Sequence, residues 1–230
     1  MQDTLPFIRP LVEKYDRPGP RYTSYPTAPQ FQAAFAEDDY RAAAERSNRA
    51  TTPKPLSAYV HIPFCESLCY YCACNKIITH NRERAAEYLA WLKREIALQG
   101  ALFDDTRRMT QLHLGGGTPT YLSNDQLGEL MAALDAAFHF AEPETREFSL
   151  EVDPRTVTPE QIHELHALGF NRLSFGVQDF DTRVQEAVNR IQSEAQVVEL
   201  VAASREAGFQ SVSVDLIYGL PLQTVASFDE

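Results

Sequence analysis

Five segments of the chain alternate between apolar and small or polar residues, the period-two pattern of a β-strand with unlike surroundings on its two faces. They run over Ser57–Ile62, Gln111–Gly115, Glu147–Val152, Arg172–Val177 and Ser211–Ile217. One face collects Ala58, Val60, Ile62, Leu112, Leu114, Phe148, Leu150, Val152, Leu173, Phe175, Val177, Val212, Val214 and Leu216. The other collects Tyr59, His61, His113, Gly115, Ser149, Glu151, Asp153, Ser174, Gly176, Gln178 and Asp215 among its serines. A parallel sheet covered on both faces is apolar on both, and a closed eight-stranded barrel fills its interior with bulky branched side chains. Neither description fits. The pattern predicts a sheet with helices over its apolar side and a cavity on its polar side.

Between the strands the apolar period changes to that of a helix. Leu89, Leu92 and Ile96 fall on one helical face, as do Leu127, Leu130, Met131 and Leu134. Capping boxes are predicted at Ser123 with Gln126, Thr158 with Gln161, and Ser193 with Gln196. Pro159 suits a first helical position, and Gly169 and Gly208 mark helix ends. Strand–helix alternation predicts an α/β fold with parallel strands and right-handed crossovers. Before it, residues 1–55 read as an arm. That arm is proline-rich and without periodicity to about Pro29, then carries a short helix near Phe31–Arg46, then breaks at Thr51–Pro55. Residues 56–230 form the main domain.

A net charge of −11 argues against generic binding to nucleic acid or an anionic membrane. No apolar run reaches bilayer length, and Met1–Pro6 lacks the regions of a signal peptide. The expectation is a cytoplasmic protein whose thiols stay reduced. All 4 cysteines, Cys65, Cys69, Cys72 and Cys74, fall just after the first strand, at the carboxyl end where α/β folds place their sites. Cys-x3-Cys-x2-Cys can present three thiolates to one face of a cubic 4Fe–4S cluster, leaving the fourth iron for a small molecule. The rival is structural zinc, whose sites usually pair two separated cysteine knuckles. Gly115–Gly116–Gly117–Thr118 permits close backbone approach. It lacks the lysine of a P-loop, so a tight turn and a ligand contact both remain open.

This cysteine spacing resembles that of the radical SAM superfamily. With the extra Cys74, the stretch Tyr59–Cys65, the arm Pro18–Thr27, Gly115–Leu122, Glu151–Pro154, Gly176–Phe180 and Asp215–Pro221, the chain is similar to the family of oxygen-independent coproporphyrinogen III oxidases (dehydrogenases). The resemblance implies a partial (β/α) barrel of the radical SAM type, here ending before a sixth strand and without the family's C-terminal domain. It implies that Cys65, Cys69 and Cys72 ligate the cluster, with Cys74 near a second SAM. It implies SAM contacts at Tyr59, Tyr71, Gly116, Gly117, Thr118, Glu151, Gln178, Arg190 and Asp215. Gln178 and Asp215 are expected at matching positions on later strands. His61 and His113 are read as satisfied structural histidines. Arg21, Tyr22 and Tyr25 are assigned to the substrate side, where a cation suits a porphyrinogen's carboxylates.

The implied activity is that of an oxidoreductase. It decarboxylates two propionates of coproporphyrinogen III to vinyl groups, giving protoporphyrinogen IX in anaerobic haem biosynthesis. The implied cofactors are one 4Fe–4S cluster and two molecules of S-adenosyl-L-methionine. The expected partners are coproporphyrinogen III and a low-potential electron donor, with the chain a monomer. Three other readings stay open: a radical SAM-like haem-binding chaperone, an inactive N-terminal fragment of the enzyme, and a zinc-stabilised interaction module. Cys74 and the Pro18–Thr27 arm favour the enzyme over the chaperone.

Overall fold

The computed structural model describes residues 7–16 and 27–229. Arg21, Tyr22 and Tyr25 lie outside them. The chain divides into two compact units, Met1–Ala43 and Ala44–Glu230. The first contains α1 (Arg9–Tyr15), a 3-10 turn at Ala28–Gln30 and the start of α2 (Glu37–Asn48). The proline-rich stretch was expected to lack regular structure, yet α1 forms with Pro10 in its first turn and buries no residue. The helix expected near Phe31 begins at Glu37 instead. There the Ala36 N–H donates to Asp39 Oδ2 at 2.9 Å, and Glu37, Asp38 and Asp39 put carboxylates in the first turn, against the positive helix end.

The second unit runs through β1 (Leu56–Ile62), β2 (Phe64–Cys65), β3 (Ile77–Ile78), α3 (Glu83–Gly100), β4 (Met109–Gly116), α4 (Asn124–Phe138), β5 (Glu147–Val152) and α5 (Pro159–Ala167). It continues through β6 (Arg172–Gln178), α6 (Thr182–Ala187), α7 (Glu194–Ala207), β7 (Ser211–Leu216) and α8 (Val225–Asp229). Five strands form one open parallel sheet in the order β1-β4-β5-β6-β7. The α/β, partial-barrel expectation holds, and the sheet is not closed.

Alternation along β1, β4, β5 and β6 becomes alternation of burial. Ile62, Leu114, Leu150, Phe148 and Phe175 are fully buried and join Leu89 and Ile96 of α3, Leu127, Leu130 and Leu134 of α4, Ile162 and Leu165 of α5, and Leu200 of α7 in one core. Each such side chain contributes about 1.5–3 kcal/mol by leaving water. β7 departs from the pattern. Val214 and Leu216 were expected on the covered face, but they lie 42% and 52% exposed on this edge strand.

Two of the three predicted capping boxes are complete, at Ser123 with Gln126 and Thr158 with Gln161. The third is half made. Ser193 Oγ accepts from Gln196 N, but the Gln196 amide donates to the Pro154 carbonyl at 2.9 Å and ties α7 to the turn after β5. Gly208 ends α7 in the left-handed region at φ 99°.

Candidate functional site

The cysteine loop is held at both ends before any ligand is considered. β2 and β3 pair in parallel, so Ile77 N donates to Pro63 O at 2.7 Å and Thr79 N to Cys65 O at 2.9 Å. Lys76 Nζ reaches back to the carbonyls of Cys72 and Cys74 at 2.9 and 3.4 Å. At its middle the loop is pinned to the segment after α6: Tyr70 N donates to Val188 O at 3.0 Å, and Asn189 Nδ2 to Leu68 O at 2.7 Å. Cys69 is buried, Cys65 and Cys72 half-buried, and Cys74 exposed. Burial pushes the Cys65 thiol up, against a lowering contact from Thr118, whose Oγ1 donates to Cys65 Sγ at 3.5 Å. Burial and the Cys72 thiol likewise raise Cys74.

The glycine run after β4 lies against this loop. Gly117 N donates to Ile62 O and Thr118 N to Phe64 O, both at 2.8 Å. Gly116 adopts φ +116°, and a Cβ there would strike the His61 ring. A Cβ on Gly117 would come within 2.7 Å of the Phe64 carbonyl and 2.8 Å of Pro63 backbone. The approach these glycines permit is therefore, first of all, to the backbone entering the cysteine loop.

The cysteines, Gly116–Gly117–Thr118, Tyr71, Glu151, Gln178, Arg190 and Asp215 all line one cavity of about 460 Å³, the size of a small-molecule site. Tyr59 is apart from that lining. It is 58% exposed and stacks on His113 with ring centroids 5.7 Å apart. Tyr71 packs against Val184, Val188 and Leu220, and burial raises its phenol. Gln178 and Asp215 line the cavity but do not sit at matching positions. A register shift between Gly176 and Gln178 pairs Gly176 with Asp215 and Gln178 with Leu216, and Gln178 takes φ 74° to make it.

Several polar side chains of the inner face hydrogen-bond to one another. His113 meets Ser149 Oγ at 2.7 Å and Glu151 Oε1 at 3.2 Å, while Gly116 N donates to Glu151 Oε2 at 3.2 Å. His113 thereby orients the carboxylate, a task the sequence reading did not give it. His61 uses both ring nitrogens, on Tyr59 Oη at 3.0 Å and the Asn75 carbonyl at 2.8 Å. Ser174 Oγ donates to Asp215 Oδ2 at 2.9 Å.

Asp153 and Arg155 also line the cavity; the sequence put Asp153 on the polar face without a task, and Arg155 was not singled out. Asp153 is buried with Arg155 and Arg190 on its carboxylate, at 2.7 and 3.2 Å. Burial works against its charge, but hydrogen bonds from Arg155 and the charges of both guanidiniums prevail and hold its carboxyl below the usual range. Asp-Pro directly after a strand is a turn signal, and it could have drawn attention to the arginine beside it.

The donor set fits the group that the resemblance implies. Among the described residues, no three His, Cys, Asp or Glu side chains converge where one ion could sit. Three thiols on one cavity suit a cluster that gives each sulfur its own iron, whereas structural zinc sites usually pair two separated cysteine knuckles.

Residues 59–230 match the profile of the Radical SAM superfamily. The oxygen-independent coproporphyrinogen III oxidase of Pseudomonas aeruginosa is 47% identical over 228 residues, 99% of this chain and 49% of that protein. Its counterpart from Escherichia coli K12 is 49% identical over 218 residues, 95% of this chain and 46% of that protein. The solved structure of coproporphyrinogen III oxidase (HemN) from E. coli, a Radical SAM enzyme, superposes with a TM-score of 0.85 at 47% identity. The superposition covers 95% of this chain and 48% of that one. The chain thus spans about half the length of the curated relatives it matches.

Proposed function

The chain belongs to the Radical SAM superfamily, and we propose from this that it carries the cluster- and SAM-binding part of an oxygen-independent coproporphyrinogen III oxidase. Cys65, Cys69 and Cys72 would hold a 4Fe–4S cluster through three of its irons. When bound, cluster and SAM together supply a carbon radical able to remove a hydrogen atom from a propionate side chain. The reaction would convert two propionates of coproporphyrinogen III to vinyl groups.

The chain's own residues bind and orient. Gly116, Gly117 and Thr118 form the cavity wall beside Cys65 and would face the amino-acid end of SAM. Glu151, fixed by His113 and by Gly116 N, offers an acceptor to the SAM ammonium or ribose. Gln178, Asp215 and Arg190 would complete those contacts, with Tyr71 against the cavity side and Tyr59 outside it. Cys74 and a second SAM, the Arg21–Tyr25 arm on the substrate side, a low-potential electron donor, a cytoplasmic location and a monomeric state belong to the same proposal. No helix among the described residues is long and apolar enough to cross a membrane.

The observation that carries the reading is the cysteine trio on one cavity with the glycine run pinned against it. Anaerobic reconstitution with iron and sulfide, followed by an assay for SAM-dependent 5′-deoxyadenosine, tests it. Expected are about four irons per chain and formation of that nucleoside. Zinc without iron would overturn the proposal. Retained haem with no vinyl product would favour a haem carrier instead.

A further inference from the structure

The contacts above leave one shielded charge without a task. Arg155 follows β5, and Asp153 grips it from two sides. Arg155 Nε lies 3.0 Å from Oδ1 and 3.2 Å from Oδ2, and Nη2 lies 2.7 Å from Oδ2. The same Nη2 is 3.8 Å from Cys69 Sγ. Arg190 Nη1 is 3.5 Å from that sulfur and 3.2 Å from Asp153 Oδ2. Two guanidiniums therefore share one carboxylate, and both face the same sulfur. Their side chains are 21% and 8% exposed, and the carboxylate's is 9%.

A structural role accounts for part of this. Asp153 caps the turn Pro154–Thr156, but the cap uses the backbone N–H of Arg155, not its side chain. One arginine would also suffice to neutralise one carboxylate. The second leaves a positive charge beside Cys69 in a protein of net charge −11. Buried charge of this kind is costly unless something compensates it.

We propose that Arg155 is a positioning residue that raises the reduction potential of a cluster ligated by Cys69. Its guanidinium, locked by Asp153, donates to the thiolate sulfur. With Arg190 it stabilises the negative charge that the cluster gains when it accepts one electron from the low-potential donor. Hydrogen bonds to sulfur, net charge and solvent exclusion are the levers that set such potentials. The inference rests on the ligand assignment proposed above.

Anaerobic redox titration of the reconstituted chain tests it, followed by electron paramagnetic resonance of the reduced cluster, with iron and sulfide assayed per chain. In Arg155→Gln the one-electron reduction constant is expected to fall about tenfold, a midpoint shift of about −59 mV. Arg155→Lys keeps the charge and should recover most of that loss. Asp153→Asn removes the negative member and should move the midpoint upward. An unchanged midpoint in Arg155→Gln at unchanged iron content overturns the proposal, and so does a fall in Asp153→Asn. If Arg155→Gln loses its iron, the sign in Asp153→Asn decides alone. If the unaltered chain assembles no cluster, the ligand assignment itself fails and this inference goes with it. A cluster whose midpoint ignores both substitutions overturns only this inference.

Discussion

Val60, Leu114, Leu150 and Phe175 leave one side of the sheet and are sealed among the residues of α3, α4, α5 and α7. Tyr59, His113, Glu151 and Ser174, their neighbours in sequence, leave the other side half-exposed or exposed and hydrogen-bonded to one another's surroundings. The same backbone serves both. On the covered face what matters is volume and apolar area, and a change of side chain registers as stability. On the open face Tyr59, His113, Glu151 and Ser174 each have a specific partner, and a change there registers in the site. Because the first face stabilises the sheet, the second is free to carry groups that add little to folding.

The sharpest break of this contrast is Cys69→Ala. It should abolish cluster iron and SAM-dependent 5′-deoxyadenosine while circular dichroism still reports a folded α/β chain. Phe175→Ala is the converse, expected to cost about 3–5 kcal/mol in urea unfolding while the refolded fraction still takes up iron. Gly117→Ala tests the seam between the faces. Its Cβ must displace Pro63–Phe64 backbone, so a cost of about 1–3 kcal/mol is expected, together with reduced iron uptake per folded chain.

A pH titration of stability comes next. The Asp153 carboxyl is held low in the folded state, so its contribution is fully present above the ordinary carboxylate range. That contribution is lost as pH falls through the depressed native value. Asp153→Asn should flatten this acid limb relative to the unaltered chain, as read from urea midpoints between neutral and acid pH. The smallest effect belongs to exposed Cys74. Cys74→Ala should leave iron content unchanged and stability within about 0.5 kcal/mol.

Strand positions were legible because alternation of size and polarity is a local signal. All five of the predicted strands form, β5 at the expected bounds and the other four with one or both ends moved by one or two residues. That the cysteines gather at one cavity was legible from their spacing after the first strand. The rest needed geometry. α1 lies in a segment with no buried face to leave a periodic trace. Gln196 abandons its own cap for a carbonyl 42 residues away in sequence. The bulge at Gln178 shifts register by one residue, which no pattern of residue types announces. Arg155 drew no reading from the sequence, because Cys69, which it faces, and Arg190, which shares its Asp153 partner, are both distant in sequence. The glycine run pointed to close approach, but only coordinates say that Pro63 and Phe64 are what it approaches.

The tethers from Leu68 and Tyr70 to Val188 and Asn189 couple two stretches of chain that a linear reading treats as independent. The residue after that anchor is Arg190, whose Nη1 lies 3.5 Å from Cys69 Sγ, so a displacement of this segment would reach the sulfur from both sides. Were the proposed cluster and its guest both bound, occupancy of the cavity and the hold of the thiols would be linked, each altering the other by the same factor.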